Sequence, residues 1–399
     1  MPALVPRFYS MPPIEPRRPL SLYIHLPWCV RKCPYCDFNS YRANGAVPEA
    51  AYVDALLRDL DAESELAAGR PIHSIFIGGG TPSLFSGEAV ARLLGGVRAR
   101  LDVAEDAEIT LEANPGAADT ARFAAYRHAG VGRLSIGVQS FREAQLRALG
   151  RVHDERAAAD AVLAAREAGF ENLNVDLMYG LPDDTVSGAV ADVERVIELG
   201  PAHVSWYQLT LEPNTAFHRR PPPLPDEDVV LDIEARGRAL LAAAGYERYE
   251  VSAYARPGFR CRHNLHYWRF GDYVGIGAGA HGKHTSADGE ILRRAKTRNP
   301  RTYMELAGTD AAVRIERISA PSELVLEFMM NALRLSEGVP IDEFEAATGQ
   351  PVDSIDAVLS AAVERGWIMR DPAVLRATPV GYALLNEVLE LFVEPTLPR

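Results

Sequence analysis

The stretch Tyr23-Ile-His-Leu-Pro-Trp-Cys29-Val-Arg-Lys-Cys33-Pro-Tyr-Cys36-Asp-Phe-Asn39 begins as an apolar, strand-like run and ends as a loop with three thiols in eight residues. Only four cysteines occur in 399 residues, and their clustering is wasted on a disulfide framework. A C-x3-C-x2-C loop leaving a strand instead brings three thiolates to one inorganic centre. Zinc wants four tight ligands, and this spacing lacks a paired second half. Three thiolates suit a [4Fe-4S] cluster with one iron left open. The amino and carboxylate groups of S-adenosylmethionine (SAM) can chelate that iron, and an electron from the reduced cluster can cleave the cofactor to a 5'-deoxyadenosyl radical. Tyr35, just before the last cysteine, suits an aromatic packed on the adenine, and equally ordinary core packing.

Outward from this loop, short apolar runs alternate with amphipathic segments. Strands are predicted at 22–25, 74–77, 108–111, 133–138, 172–177 and 204–209, with helices over 51–67, 88–99 and 119–129. Gly130, Gly169, Gly200 and Gly245 each follow a helical segment, where glycine supplies a left-handed cap. Six consecutive βα units over 20–245 predict an α/β fold, a partial parallel βα barrel. Ligand sites then belong at the carboxyl ends of the strands.

The formal charge is -12, with 47% hydrophobic and 24% charged residues, an ordinary globular composition. No run of about 18 uncharged apolar residues occurs, so no membrane span is expected. Residues 1–19 read as a flexible Pro-rich arm without a secretion signal, which makes the cytoplasm the expected compartment. The acidic average argues against nucleic acid as a partner. It is unevenly divided: 256–301 carries ten Lys/Arg against three acids, a net +7, within an aromatic extension over 246–318. Residues 319–399 read as a winged-helix-like α+β domain: helices at 322–335, 341–347 and 352–365, a hairpin around 367–376, and a last helix at 380–391. With five Arg against thirteen acids, it would repel phosphate and is expected to be a structural or docking cap.

The cysteine motif and its surroundings resemble the radical SAM superfamily and, within it, the oxygen-independent coproporphyrinogen III oxidase group, over nearly the whole chain. The resemblance implies that Gly79, Gly80 and Thr81, in Gly78-Gly-Gly-Thr-Pro-Ser83, contact the SAM amino group. Bottom-up, these glycines let backbone approach a ligand. It also implies that Glu112, Gln139, Arg151 and Asp176, with Tyr23, line the SAM pocket, and that Cys29, Cys33 and Cys36 hold the cluster. Singly, each polar strand end could be a solvated rim; together on one mouth they read as a site.

Two departures bear on the reaction. The oxidases continue their motif to C-x3-C-x2-C-x-C, whereas here that position is Phe38, and their region ahead of the motif is longer than the 28 residues here. In contrast, Arg262-His263-Asn264-Leu265-His266-Tyr267-Trp268 contains H-N-x-x-Y-W, which resembles the signature of the heme chaperone (HemW) branch. That resemblance implies a heme seat: His263 as iron ligand, Tyr267 and Trp268 flanking the porphyrin, arginines pairing with propionates. His281, in Gly275-Ile-Gly-Ala-Gly-Ala-His-Gly282, is a candidate for heme or SAM, or a turn histidine bonded locally. Cys261 could be a ligand, a covalent heme link or a buried small residue.

The resemblance further implies heme delivery to membrane or respiratory hemoproteins, a homodimer, and peripheral contact with the inner membrane face. The expectation is a carrier without coproporphyrinogen dehydrogenase activity. The alternative is an oxidase that decarboxylates coproporphyrinogen III to protoporphyrinogen IX. A winged-helix regulator sensing heme or a cluster is a third reading, disfavoured by the -8 tail.

Overall fold

The computed structural model describes residues 19–393 apart from 68, 118, 287, 288 and 319. Residues 1–18 of the expected 1–19 arm and the expected domain start at Ser319 lie outside the described residues. Twelve strands form one sheet, numbered here in chain order: β1 (Leu20–Leu26), β2 (Ile72–Gly79), β3 (Val103–Ala113), β4 (Arg133–Gln139), β5 (Asn172–Tyr179), β6 (His203–Gln208), β7 (Glu247–Glu250), β8 (Ala253–Ala255), β9 (Tyr273–Ile276), β10 (His281–Thr285), β11 (Ile291–Lys296) and β12 (Val313–Ile318). Their spatial order is β12-β11-β10-β9-β1-β2-β3-β4-β5-β6-β8-β7. Strands β1 to β6 are parallel neighbours, as six βα units require.

Period-two alternation divides β1 between two environments. Leu20, Leu22, Ile24 and Leu26 are buried in the main core with Tyr52, Leu56 and Leu60 of the helix Glu49–Glu63. Ser21 and Tyr23 face the other way: the Ser21 and Ser74 hydroxyls lie 2.6 Å apart, and Tyr23 stacks on Phe76. The covering helices start on side-chain caps: Ser86, Asp119, Asp154 and Thr185 accept from the backbone N–H three residues on. Gly130, Gly169, Gly200 and Gly245 all take positive φ, the conformation their positions after helices predicted.

The region after 245 differs from its aperiodic reading and supplies six strands to the same sheet. β9 runs parallel beside β1, and β10 to β12 continue as an antiparallel meander. The glycines that hid this alternation are needed by close approach: a Cβ on Gly275 would collide with the His281 carbonyl, and one on Gly279 with the Asn39 side chain.

The C-terminal region has helices Pro321–Ala332, Ile341–Thr348 and Asp356–Glu364, with Val339–Pro340 paired to Val374–Leu375. The predicted last helix is two, Pro379–Ala383 and Leu385–Glu390, interrupted at Leu384. Phe328 and Phe344 centre this core, which also takes in Phe270, Ile291 and Ile318 from the sheet side. Among the described residues no helix is long and apolar enough to cross a membrane.

Most cations of the +7 segment are paired with carboxylates, several of them from outside the segment. Lys296 pairs with Asp59 and Glu63, Arg294 with Glu63, Lys283 with Asp272, and Arg293 with Glu327. By contrast Arg298 is exposed, its guanidinium 3.4 Å from Asn39 Oδ1.

Candidate functional site

The cysteine loop leaves the carboxyl end of β1 and is closed by a short parallel pairing of Trp28–Cys29 with Tyr41–Arg42. Cys29 is buried, and Cys33 and Cys36 are half-buried. The Cys36 sulfur lies 3.8 Å from Ser40 Oγ, and Arg151 Nη1 lies 3.8 Å from the Cys33 sulfur. Burial pushes the Cys29 and Cys36 thiols up. The loop root is clamped by the glycine segment after β2: Gly80 N–H donates to the Leu26 carbonyl at 2.8 Å and Thr81 N–H to the Trp28 carbonyl at 2.7 Å. A Cβ on Gly80 would stand 2.6 Å from that Trp28 oxygen, so only glycine permits this approach.

A cavity of about 260 Å3 opens where the strands β2 to β6 end against this loop. Its wall brings together Cys29, Cys33, Cys36, Tyr35, Gly79, Gly80, Thr81, Glu112, Gln139, Arg151 and Asp176. Glu112 accepts from Gly79 N–H at 3.1 Å. Burial, then repulsion from Asp176, pushes its carboxyl up to about 8. Asp176 accepts from Ser135 Oγ at 3.1 Å and Asn174 Nδ2 at 2.8 Å, and is also pushed up by burial. Two buried carboxyl groups, each already accepting from a donor, give the pocket a wall that favours a cationic ligand once they ionise. Gln139 sits at φ 72, an uncommon backbone state for a non-glycine, and accepts from the Tyr207 hydroxyl at 2.7 Å.

Asn114 and Tyr207 were missed in the sequence. Asn114 Nδ2 donates to Thr81 Oγ1 at 2.8 Å and its Oδ1 accepts from Arg151, tying the glycine segment to the cysteine side. Its place two residues past Glu112, before Pro115, was the available signal. Nothing local marked Tyr207.

Three free thiols on one loop, all lining the cavity that carboxyl groups and glycine backbone also line, fit a cluster with SAM beside it. Among the described residues no three His, Cys, Asp or Glu side chains converge on one point, as a single ion would need. A four-iron cluster takes each thiolate on a different iron.

A second, larger groove of about 800 Å3 adjoins this pocket, sharing Phe38 as wall. Tyr23, expected in the SAM pocket, borders this groove instead, its hydroxyl 2.9 Å from His25 Nδ1. The reason is depth: Tyr23 pairs with Phe76 in register, three residues below the Gly79 that lines the smaller cavity. Tyr267, Tyr273, His281, Arg298 and Arg314 also face the groove.

The H-N-x-x-Y-W motif is the helix Arg262–Trp268, seated against the amino-terminal part of the strands. His263 is 1% exposed, its Nδ1 3.0 Å from Ser74 Oγ, and its ring packs on Phe76 at 5.2 Å and edge-on to Tyr267 at 4.6 Å. It borders neither cavity. Trp268 turns to the C-terminal core, with the Arg334 guanidinium 4.2 Å over its ring. The structure therefore separates the four candidate heme residues: Tyr267 and His281 share a groove that neither His263 nor Trp268 lines. Cys261 is fully buried beside Glu108, 3.5 Å away.

Compared with known families, residues 23–197 match the radical SAM superfamily and residues 320–384 the HemN C-terminal domain. The heme chaperone HemW of Escherichia coli (strain K12) is 53% identical over 375 residues, covering 94% of this chain and 98% of that one. The chain belongs to the HemW family. The HemW of Haemophilus influenzae is 48% identical, with the same coverage, and that of Mycobacterium tuberculosis (strain ATCC 25618 / H37Rv) 38% identical over 85% of this chain and 88% of its own. Among solved structures, coproporphyrinogen III oxidase (HemN) from Escherichia coli, a radical SAM enzyme, matches with a TM-score of 0.80 at 25% identity, covering 96% of this chain and 91% of that one. The likeness to HemN thus spans both the radical SAM region and the C-terminal domain.

Proposed function

We propose that this HemW-family chain is a heme chaperone that holds a [4Fe-4S] cluster through Cys29, Cys33 and Cys36, binds SAM beside it, and passes heme to hemoproteins of the respiratory membrane from the cytoplasmic side. The observation that carries this reading is the pair of adjoining cavities, one built for a small cationic ligand beside three thiols, the other wide, aromatic and edged with arginines. When bound, the cluster and SAM supply the redox chemistry of the superfamily. The chain's own part is placement: Gly79 and Gly80 keep backbone close to the pocket, Glu112 and Asp176 present carboxylates to a cationic ligand, and Arg151 holds its guanidinium beside Cys33.

The Glu112 environment has a pH consequence. With its carboxyl at about 8, the empty pocket is mostly protonated at pH 7, and a cation bound there favours the ionised form. SAM binding to the reconstituted chain should release a proton and tighten about tenfold between pH 6.5 and 8.5. Equilibrium binding across that range checks this, and Glu112→Gln should flatten the profile. A wild-type profile that weakens with rising pH would contradict it.

Oxidative decarboxylation of coproporphyrinogen III is the second reading, favoured by the complete cysteine-side pocket and the close structural match to HemN. Phe38 argues against it, since the oxidases carry a fourth cysteine there. The deciding experiment is anaerobic. The reconstituted chain is given hemin and, separately, coproporphyrinogen III with SAM and a reductant. Stoichiometric hemin binding without decarboxylated product is expected; turnover without stable hemin binding would sink the chaperone reading.

A further inference from the structure

We infer that the 800 Å3 groove is the heme seat and that His281, rather than His263, offers the axial imidazole, with His263 positioning the Tyr267 wall from behind. This rests on the heme-carrier reading above and assigns the site that reading leaves open. The groove lies within the roughly 300–1,000 Å3 of cofactor sites.

His281 stands at the head of β10 with an exposed ring that hydrogen-bonds to no described residue. Its backbone, in contrast, follows a firmly held turn. Gly277 N–H donates to the Tyr303 hydroxyl at 3.0 Å, and Ala278 N–H to the Tyr52 hydroxyl at 2.8 Å. The held turn fixes where His281 stands, and its side chain lines the groove. Partial burial and the nearby Arg298, Arg293 and Arg314 lower the affinity of this imidazole for protons. The neutral ring keeps a lone pair for iron.

The rest of the groove suits a metalloporphyrin with two carboxylates. Phe38, 60% exposed, presents an aromatic ring on the groove wall that can pack on a flat ligand. Arg298 and Arg314 are exposed on the same wall, and guanidinium forks match propionates. Arg314 has one weak partner, Glu316 at 3.4 Å, and Asp37 is the acid that shares the lining.

His263 has the opposite character. Its Nε2 is buried without a hydrogen-bond partner, but the Tyr267 ring against it is itself part of the groove wall. Tyr267, packed edge-on against His263, lines the groove where His263 does not. The histidine in the motif thus supports the tyrosine in the motif, and the tyrosine meets the porphyrin.

The test titrates the full chain with hemin and reads the Soret band and stoichiometry. Wild type should bind one hemin with a shifted Soret. His281→Ala should weaken binding by about tenfold or more and move the band toward free hemin, and added imidazole should restore it. Charge reversal at both Arg298 and Arg314 should weaken binding and flatten its salt dependence. His263→Asn, which keeps a donor toward Ser74, should fold with wild-type circular dichroism and retain the Soret position. A Soret unchanged in His281→Ala, or lost in folded His263→Asn and rescued there by imidazole, would overturn the assignment while leaving the carrier reading intact. A wild-type chain that binds no hemin would overturn both.

Discussion

A chain carrying Cys33→Ala should emerge from anaerobic reconstitution with under about one iron and no cluster absorbance, whereas Cys261→Ala should keep its full complement of about four. The four thiols divide by environment. Cys33 is half-buried on the loop at the carboxyl ends of the strands, in the cavity wall beside Arg151. Cys261 lies toward the amino ends, fully buried, with its thiol pushed up to about 12, chiefly by burial. A thiol so reluctant to ionise, against the Glu108 carboxylate, is a poor iron ligand. Iron analysis with the visible spectrum checks both variants. A cluster that survives Cys33→Ala and vanishes in Cys261→Ala would reverse the assignment.

The largest stability effect is expected at Lys296. Its ammonium lies 2.6 Å from Asp59 Oδ1 and 2.5 Å from Glu63 Oε1, with all three side chains at most 2% exposed. Lys296→Met takes the ammonium from buried Asp59, while Glu63 keeps Arg294; the loss should cost about 3–5 kcal/mol and be read as an earlier midpoint in urea unfolding. The loss also has a pH sign. Burial already pushes the Asp59 carboxyl up although Lys296 opposes it, and removing the lysine raises it further. A carboxyl raised in the folded state contributes its stability at low pH and loses it as pH rises through the folded value. The deficit of the variant should therefore be smaller at pH 5.5 than at pH 8; an equal deficit would contradict the electrostatic origin. Asp59 also accepts from the Tyr303 hydroxyl at 2.7 Å and from Gly277 N–H at 3.3 Å, so the turn leading to His281 should loosen as well. The exposed pair of Arg301 with Glu305 is the control, and its loss should leave the midpoint unmoved.

That network marks the limit of what was legible in the sequence. Six βα units were readable because their signals are local: strand alternation, caps, and glycines such as Gly130 and Gly200 where the backbone turns left-handed. The cysteine loop and the polar strand ends beyond it were readable for the same reason, since a parallel sheet brings the carboxyl ends of its strands to one mouth. The +7 excess over 256–301 was misleading as a free cationic surface, because the carboxylates that answer Lys296 and Arg294 lie over 230 residues earlier. Arg293, Arg294 and Lys296, three of the cations in that stretch, are each engaged by an acid.

In the sequence, the family motif favoured His263 as iron ligand and left His281 open to heme, SAM or a local turn role. Their placement is decided only in three dimensions: Ser74, 189 residues away, draws His263 inward, while the glycine turn leaves His281 on the groove. The strand Tyr273–Ile276 was hidden in the same way, because glycine removes the side chain whose alternation would have shown it.

The central claim is that this chain carries heme and gives it up. The most direct measurement loads the reconstituted protein with one hemin, mixes it with heme-depleted respiratory membranes, and follows the Soret absorbance after the membranes are sedimented. The expected result is that heme leaves the chain and appears in the membrane fraction with a cytochrome spectrum. Heme that stays with the chain, or that reaches the membranes no faster than free hemin does, would contradict the account.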